Sequence, residues 1–343
     1  MKIVRSSYSP YQLKFKQPFT TSKGKITKRK GFLIKLESEN GRRGHGDCCP
    51  LSDFGSESYE EVEEKLKNLE LDIKIDLSNI ESSIFKSLEP LNKLPALRFA
   101  FEQAILNLIS RDQNISLNEI LNSTSKKIIN VNAAIGLQTP EQTILQAKEL
   151  INKGYETLKL KVGRENFEED YACVQGIRNS IGTKVKLRID VNGKWNLSKA
   201  TSSLNKLKKF DIEYVEQPVN KLKDYLKLSP KTNIPLAADE SIRSLRDAYD
   251  FISQKAVAVL ILKPIMLGGI IPTIKIIEYA QQNKIKVVVT SSLESCVGRS
   301  FAILAASFVQ DDIAHGLGTA EFFENDLFKD PYPVKNGQIH LSQ

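Results

Sequence analysis

From about residue 128 onward, short apolar runs alternate with longer amphipathic stretches. The runs IINVNAAI, TLKLKV, KLRIDVN, IEYVEQP, PLAADES, AVLILKP, KVVVTSS and a short AHGLGT have the length and β-branched content of buried strands. Between most of them lie helix-periodic segments, among them PEQTILQAKELINKG and GGIIPTIKIIEYAQQNK. The first of these opens with Thr139, Pro140 and Gln142, a capping box with proline where a missing N–H costs nothing, and it ends at Gly154, suited to a left-handed C-terminal cap. Eight strands with intervening helices predict a closed parallel barrel more naturally than an open sheet. The open doubly wound alternative lacks its usual GxGxxG after an early strand.

Residues 1 to about 90 are patterned differently. Alternating segments (YQLKFK, KGFLIKLES) precede a turn-rich stretch, GRRGHGDCCPLSDFGSES, and a charged helix, YEEVEEKLKNLE. Strands first and helices afterward predict an α+β unit. A helix starting near Pro95 (ALRFAFEQAILNLIS) leads into the repeating region, and residues 320–343 read as an irregular tail with one final strand that returns to the first unit. The expected division is 1–95 plus the tail, and 96–319.

Five charged residues close successive strand candidates: Lys161, Asp190, Glu216, Asp239 and Lys263, spaced 29, 26, 23 and 24 residues apart. That interval is one strand plus one helix, and strand C-terminal ends are where a barrel builds its site. Alternation places Lys159 with Lys161 on one strand face, and Arg188 with Asp190 and Asn192 on the next. Charges inside a barrel are costly unless paired or metal-bound. A buried salt-bridge network explains any one pair well, but explains five such residues at successive strand ends poorly. Carboxylates suit a hard cation, so Asp190, Glu216 and Asp239 are expected to hold Mg²⁺, with Mn²⁺ as a substitute. Glu240 should point to the other side of its strand. The chemistry this predicts is proton abstraction beside a carboxylate: a lysine made neutral by burial and neighbouring positive charge takes the proton, and the cation offsets the charge of the resulting enediolate.

Length and composition add limits. The chain has 343 residues, enough for two domains, and 41% hydrophobic with 26% charged residues is ordinary for a globular protein. No run approaches the roughly 20 apolar residues of a membrane span, and the N-terminal residues lack a secretory pattern, so a cytoplasmic location is expected. Cys48, Cys49, Cys173 and Cys296 have no CxxC spacing and only three histidines accompany them, which argues against structural zinc or a disulfide framework. The net charge of +8 concentrates at Lys23, Lys25, Lys28, Arg29 and Lys30, without the aromatic interleaving of a nucleic-acid surface. A solvated basic loop is the expectation there.

The series KLK, Asp, Glu, Asp and LKP on strands two to six resembles the enolase superfamily, muconate-lactonizing subgroup, across nearly the whole chain. The resemblance implies a (β/α)7β TIM-type barrel whose mouth is closed by loops of a capping domain, here Phe19 to Lys25 and Cys49 to Glu57. It implies a small carboxylate substrate, with Lys161 removing the α-proton, Lys263 acting from the opposite face, and Lys159 tuning Lys161 or holding the carboxylate. Arg188, Asn192, Ser291, Ser292 and Glu294 are the expected substrate contacts. The segments LKPIMLGG, TSSLESCVG and HGLGTAEFFENDL look most like a dehydratase of the subgroup. Dipeptide epimerases typically carry Asp-x-Asp at the eighth strand, which HGLGT lacks; racemization of acylated amino acids stays open as the alternative. No nucleic-acid or membrane partner is expected, and the oligomeric state is left open.

Overall fold

A computed structural model describes residues 1–21, 24–121 and 124–341. The N-terminal region is a three-stranded antiparallel sheet of β1 (Ile3–Thr21), β2 (Gly24–Ser38) and β3 (Arg43–Cys48), in that order. On β2 the side chains of Phe32, Ile34 and Leu36 turn inward, each burial contributing roughly 2 kcal/mol. β3 lies inside the stretch expected to be turns. Its glycines serve packing: a Cβ at Gly44 or Gly46 would collide with the carbonyls of Ala104 or Ala100 in the helix Pro95–Gln113. That helix is buried along most of its length, so it shows no polar stripe. The charged helix Tyr59–Lys67 is opened by a capping box from Ser58 and Glu61.

The second region is a seven-stranded parallel sheet in chain order: β5 (Ala133–Ile135), β6 (Thr157–Lys161), β7 (Lys186–Asp190), β8 (Ile212–Glu216), β9 (Leu236–Ala238), β10 (Val259–Leu262) and β11 (Lys286–Val289). Helices follow the strands, from Pro140–Asn152 to Cys296–Ser307. Thr139 and Gln142 form the expected capping box, and Gly154 takes φ +87° one residue past the cap.

Two expectations need correction. The run IINVNAAI is two strands: β4 (Ile128–Asn130) leaves the sheet and pairs antiparallel with β12 (Gln338–His340), and only β5 joins the parallel sheet. AHGLGT forms no strand; the two sheet edges are linked through isolated bridges, Val131 to His315 and Thr290 to Gly316, so the ring is only partly closed. With two bridging residues, this segment is too short to build a ladder.

The tail touches the first region through its aromatic residues, while its strand β12 pairs with β4 instead. Phe15 and Phe19 of β1 meet Phe323 and Phe322, at ring-centroid distances of 4.7 and 5.4 Å, beside Leu293. Of the expected Phe19–Lys25 loop, Thr20 and Thr21 of β1 pair with Lys25 and Gly24 of β2, and Ser22 and Lys23 lie outside the described residues. All four cysteines are free and buried. Among the described residues no helix is long and apolar enough to cross a membrane.

Candidate active site

The strand-end charges fall where the spacing placed them. Lys161, Asp190 and Glu216 are the last residues of β6, β7 and β8, while Asp239 and Lys263 follow β9 and β10 by one residue. The register sets Lys161 opposite Asp190 and Asp190 opposite Glu216, so they share one end of the sheet. Leu158 and Leu160 are fully buried while Lys159 and Lys161 are only partly so, as the alternation predicts.

The ammonium of Lys159 lies between two carboxylates, 3.0 Å from Asp190 Oδ2 and 2.6 Å from Glu216 Oε1. Lys263 is ion-paired with Asp239, and its Nζ lies 6.0 Å from the centre of the Phe54 ring. Burial alone would lower both lysines, but carboxylates outweigh it: Asp190 and Glu216 hold Lys159 well above the usual lysine range, and Asp239 with Glu240 raise Lys263. Lys161 goes the other way. Burial pushes it down, Lys194 and Lys159 add to the fall, and Asp190 opposes it only in part. It is the lysine best suited to be a neutral base.

The carboxylates divide similarly. Burial, then the neighbouring charge of Asp190, pushes Glu216 well above the usual range. Burial would raise Asp190 too, but Lys159 and Lys161 leave it below its ordinary value. No group of three or more His, Cys, Asp or Glu side chains converges at metal-ligand spacing among the described residues. The donor chemistry still fits a hard cation. Asp190, Glu216 and Asp239 are at least nine-tenths buried, their charge is offset here by two ammonium groups, and Glu240 Oε2 and Asn192 Oδ1 beside them have no hydrogen-bond partner among the described residues.

Glu240 departs from the alternation. β9 ends at Ala238, the pleat no longer governs, and Glu240 Oε1 accepts from Asn192 Nδ2 at 3.0 Å. Asn192 in turn donates its backbone N–H to Asp190 Oδ1 at 3.0 Å, from a left-handed conformation with φ +49°. Arg188 lies two residues before Asp190 on β7 and is engaged by protein partners. It is fully buried, with Nε 2.5 Å from Glu213 and Nη1 donating to Asn132 Oδ1 and the Ala314 carbonyl. Ser291, Ser292 and Glu294 follow β11 and are all buried; Ser291 Oγ is 2.6 Å from Thr319 Oγ1, and Ser292 N–H donates to Glu294 Oε2 at 2.7 Å. Burial raises Glu294 to about 7.

The sequence reading missed two contributors from the capping region. Phe54 sits inside the anticipated Cys49–Glu57 stretch, but nothing local marks its approach to Lys263. Arg29, counted in a solvated basic loop, is a buried residue of β2 that donates to the carbonyls of Leu293 and Cys49. A buried arginine on an otherwise exposed strand segment has no periodic signature.

Residues 142–343 match the family profile described as Enolase C-terminal domain-like, and residues 5–107 match the MenC N-terminal domain. The chain belongs to the enolase superfamily. Its relatives include an N-succinyl-L-Arg/Lys racemase of Bacillus cereus, 26% identical over 88% of this chain and 82% of the relative. An o-succinylbenzoate synthase of Listeria innocua is 28% identical over 94% of this chain and 87% of the relative. Among solved structures, a dipeptide epimerase of Enterococcus faecalis complexed with Mg and L-Leu-L-Tyr superposes with a TM-score of 0.88, at 24% identity, over 100% of this chain and 98% of that one. This superfamily enzyme therefore has synthase, racemase and epimerase relatives of similar distance.

Proposed function

We propose that the protein is an o-succinylbenzoate synthase, a hydro-lyase that removes water from 2-succinyl-6-hydroxy-2,4-cyclohexadiene-1-carboxylate in menaquinone biosynthesis. The observation that carries this reading is the pairing of a lysine–acid–lysine mouth with an eighth segment, HGLGT, that lacks the two acids of a dipeptide epimerase. The matching N-terminal family profile and the synthase relatives support it. The bridged sheet is read here as a (β/α)7β barrel, and the mouth as a site for one small carboxylate, without nucleic acid or membrane.

Asp190, Glu216 and Asp239 would hold Mg²⁺, or Mn²⁺ in its place, which supplies positive charge to the substrate carboxylate when bound. Lys161, pushed down by burial, takes the α-proton and as its ammonium returns it to the departing hydroxide on the same face. Lys263, kept charged by Asp239, offsets the negative charge developing on the other face. Lys159 balances Asp190 and Glu216, holding the mouth's charge in place. Ser291, Ser292 and Glu294 form the wall for the succinyl tail.

Loss of the diene absorbance on adding enzyme with Mg²⁺ tests the reading directly. Absent turnover by the wild type, or normal turnover by Lys161→Ala, sinks the assignment or the base. The second reading is racemization of an N-succinylamino acid, favoured by the Bacillus cereus relative. Exchange of a substrate α-proton in D₂O without elimination selects it.

A further inference from the structure

The segment after β11 is held in an unfavourable backbone. Leu293 has φ +65°, a left-handed conformation that a branched side chain rarely adopts, so its surroundings must impose it. Ser291 is tied to its own region, its N–H donating to the Gly316 carbonyl at 3.1 Å. Beyond it, besides the Ser292 N–H bond to Glu294 within the segment, two holding groups come from the capping sheet. Asp47 Oδ2 accepts from both the N–H and the hydroxyl of Ser295, at 2.9 and 2.7 Å, and Arg29 Nε donates to the Leu293 carbonyl at 3.3 Å.

Those two residues are themselves fixed. Asp47 is fully buried, its other oxygen accepts from the Tyr11 hydroxyl, and its backbone N–H donates to Gln103 Oε1 at 3.1 Å. Arg29 is also tied to the Cys49 carbonyl at 2.7 Å. The approach is close enough that a Cβ on Gly298 would sit 2.9 Å from Asp47 Oδ2 and 2.9 Å from Glu294 Cβ. A charged, buried clasp of this kind is strong and geometrically specific.

We infer that Asp47 and Arg29 are positioning residues: from the capping sheet they impose the shape of the Ser291–Glu294 wall, so the cap sets substrate fit without touching the reacting atoms. This rests on the reading that the wall meets substrate. The segment cannot relax when the sheet is in place, and substrate then meets a preformed surface.

Hydrogen–deuterium exchange on the full chain tests it, comparing wild type with Asp47→Ala, Asp47→Asn and Arg29→Met. In Asp47→Ala, amides of residues 291–300 should exchange about tenfold faster while β10 is unchanged, with Asp47→Asn in between because it keeps an acceptor. In the dehydration assay KM should rise about tenfold while kcat stays within about threefold. A folded Asp47→Ala protein with unchanged exchange at 291–300 overturns the inference, as does a fall in kcat with KM unmoved. If Asp47→Ala fails to fold, Arg29→Met, which keeps the apolar stem, carries the same two readouts. Absent wild-type turnover counts against the assigned reaction alone, and the exchange pattern still decides the clasp.

Discussion

Two layers of charge sit in the same sheet, two residues apart on the same strands, and they are built to opposite ends. In the upper layer Asp190 and Glu216 share the single ammonium of Lys159. In the lower layer Arg188 has partners of its own: Glu213, Asn132, the Ala314 carbonyl, and the face of Tyr214 at 4.7 Å. The ladder itself makes room for this. Leu187 stands opposite Ile212 and Arg188 opposite Tyr214, and the skipped Glu213 turns toward the guanidinium. The lower layer is a buried ion pair that holds strands together, although Arg188 Nη2 and the Tyr214 hydroxyl have no hydrogen-bond partner among the described residues. In the upper one Asp190, Glu216 and Asp239 are paired only with the ammonium groups of Lys159 and Lys263, an arrangement that a cation and a substrate can complete.

The comparison can be broken from either side. Lys161→Ala should lower kcat by roughly a hundred- to ten-thousandfold, the loss of a general base, with the melting temperature unmoved; a large fall in melting temperature would give the upper layer a structural role. Arg188→Met should destabilise the fold by about 3 kcal/mol in urea, because Glu213 loses its close partner in a mostly buried place and keeps only Lys186 Nζ at 3.8 Å. Unchanged unfolding would remove the distinction between the layers. Glu216→Gln should cost less than about 1 kcal/mol, since burial and Asp190 already disfavour its charge, while Mg²⁺ binding measured by calorimetry is lost.

A further effect is one of pH. His315 lies buried in the lower layer, its Nδ1 accepting from the Val289 N–H at 3.0 Å. Burial, helped by Arg188, lowers it from 6.5 to about 3. A group whose folded value is depressed contributes stability that is complete above its unfolded value and is lost as pH falls through the folded one. Stability should therefore decline from pH 6.5 toward 3, and the decline between pH 7 and pH 5 should flatten in His315→Gln. Equal slopes in both proteins would place the histidine outside the titrating set.

What the sequence revealed follows the same division. The five strand-end charges were readable because a strand–helix period repeats and because alternation is local, and Lys161, Asp190 and Glu216 close their strands as counted. Depth was not readable. Arg188 and Asp190 share a face, and nothing in KLRIDVN says that one is a floor and the other a mouth. Glu240 escaped because alternation holds only while the ladder lasts, and β9 is three residues long. Asp47, Arg29 and Phe54 escaped because they act across more than 200 positions of chain, where no periodicity reaches. β3 was hidden by its own glycines, which serve a helix rather than a turn.

The antiparallel pairing of β4 with β12 has a bearing on how the chain acquires its shape. Asn130 and Gln338 hydrogen-bond across 208 positions. During synthesis the first parallel strands leave the ribosome long before their flanking partner exists, and β4 must wait with its edge unpaired. Closing so long a loop adds little entropy beyond a shorter one, so the delay is one of timing rather than of equilibrium cost. β12, made 208 positions after its partner, seals β4 beside the parallel sheet, and a chain that stops short of β12 is left with an open seam.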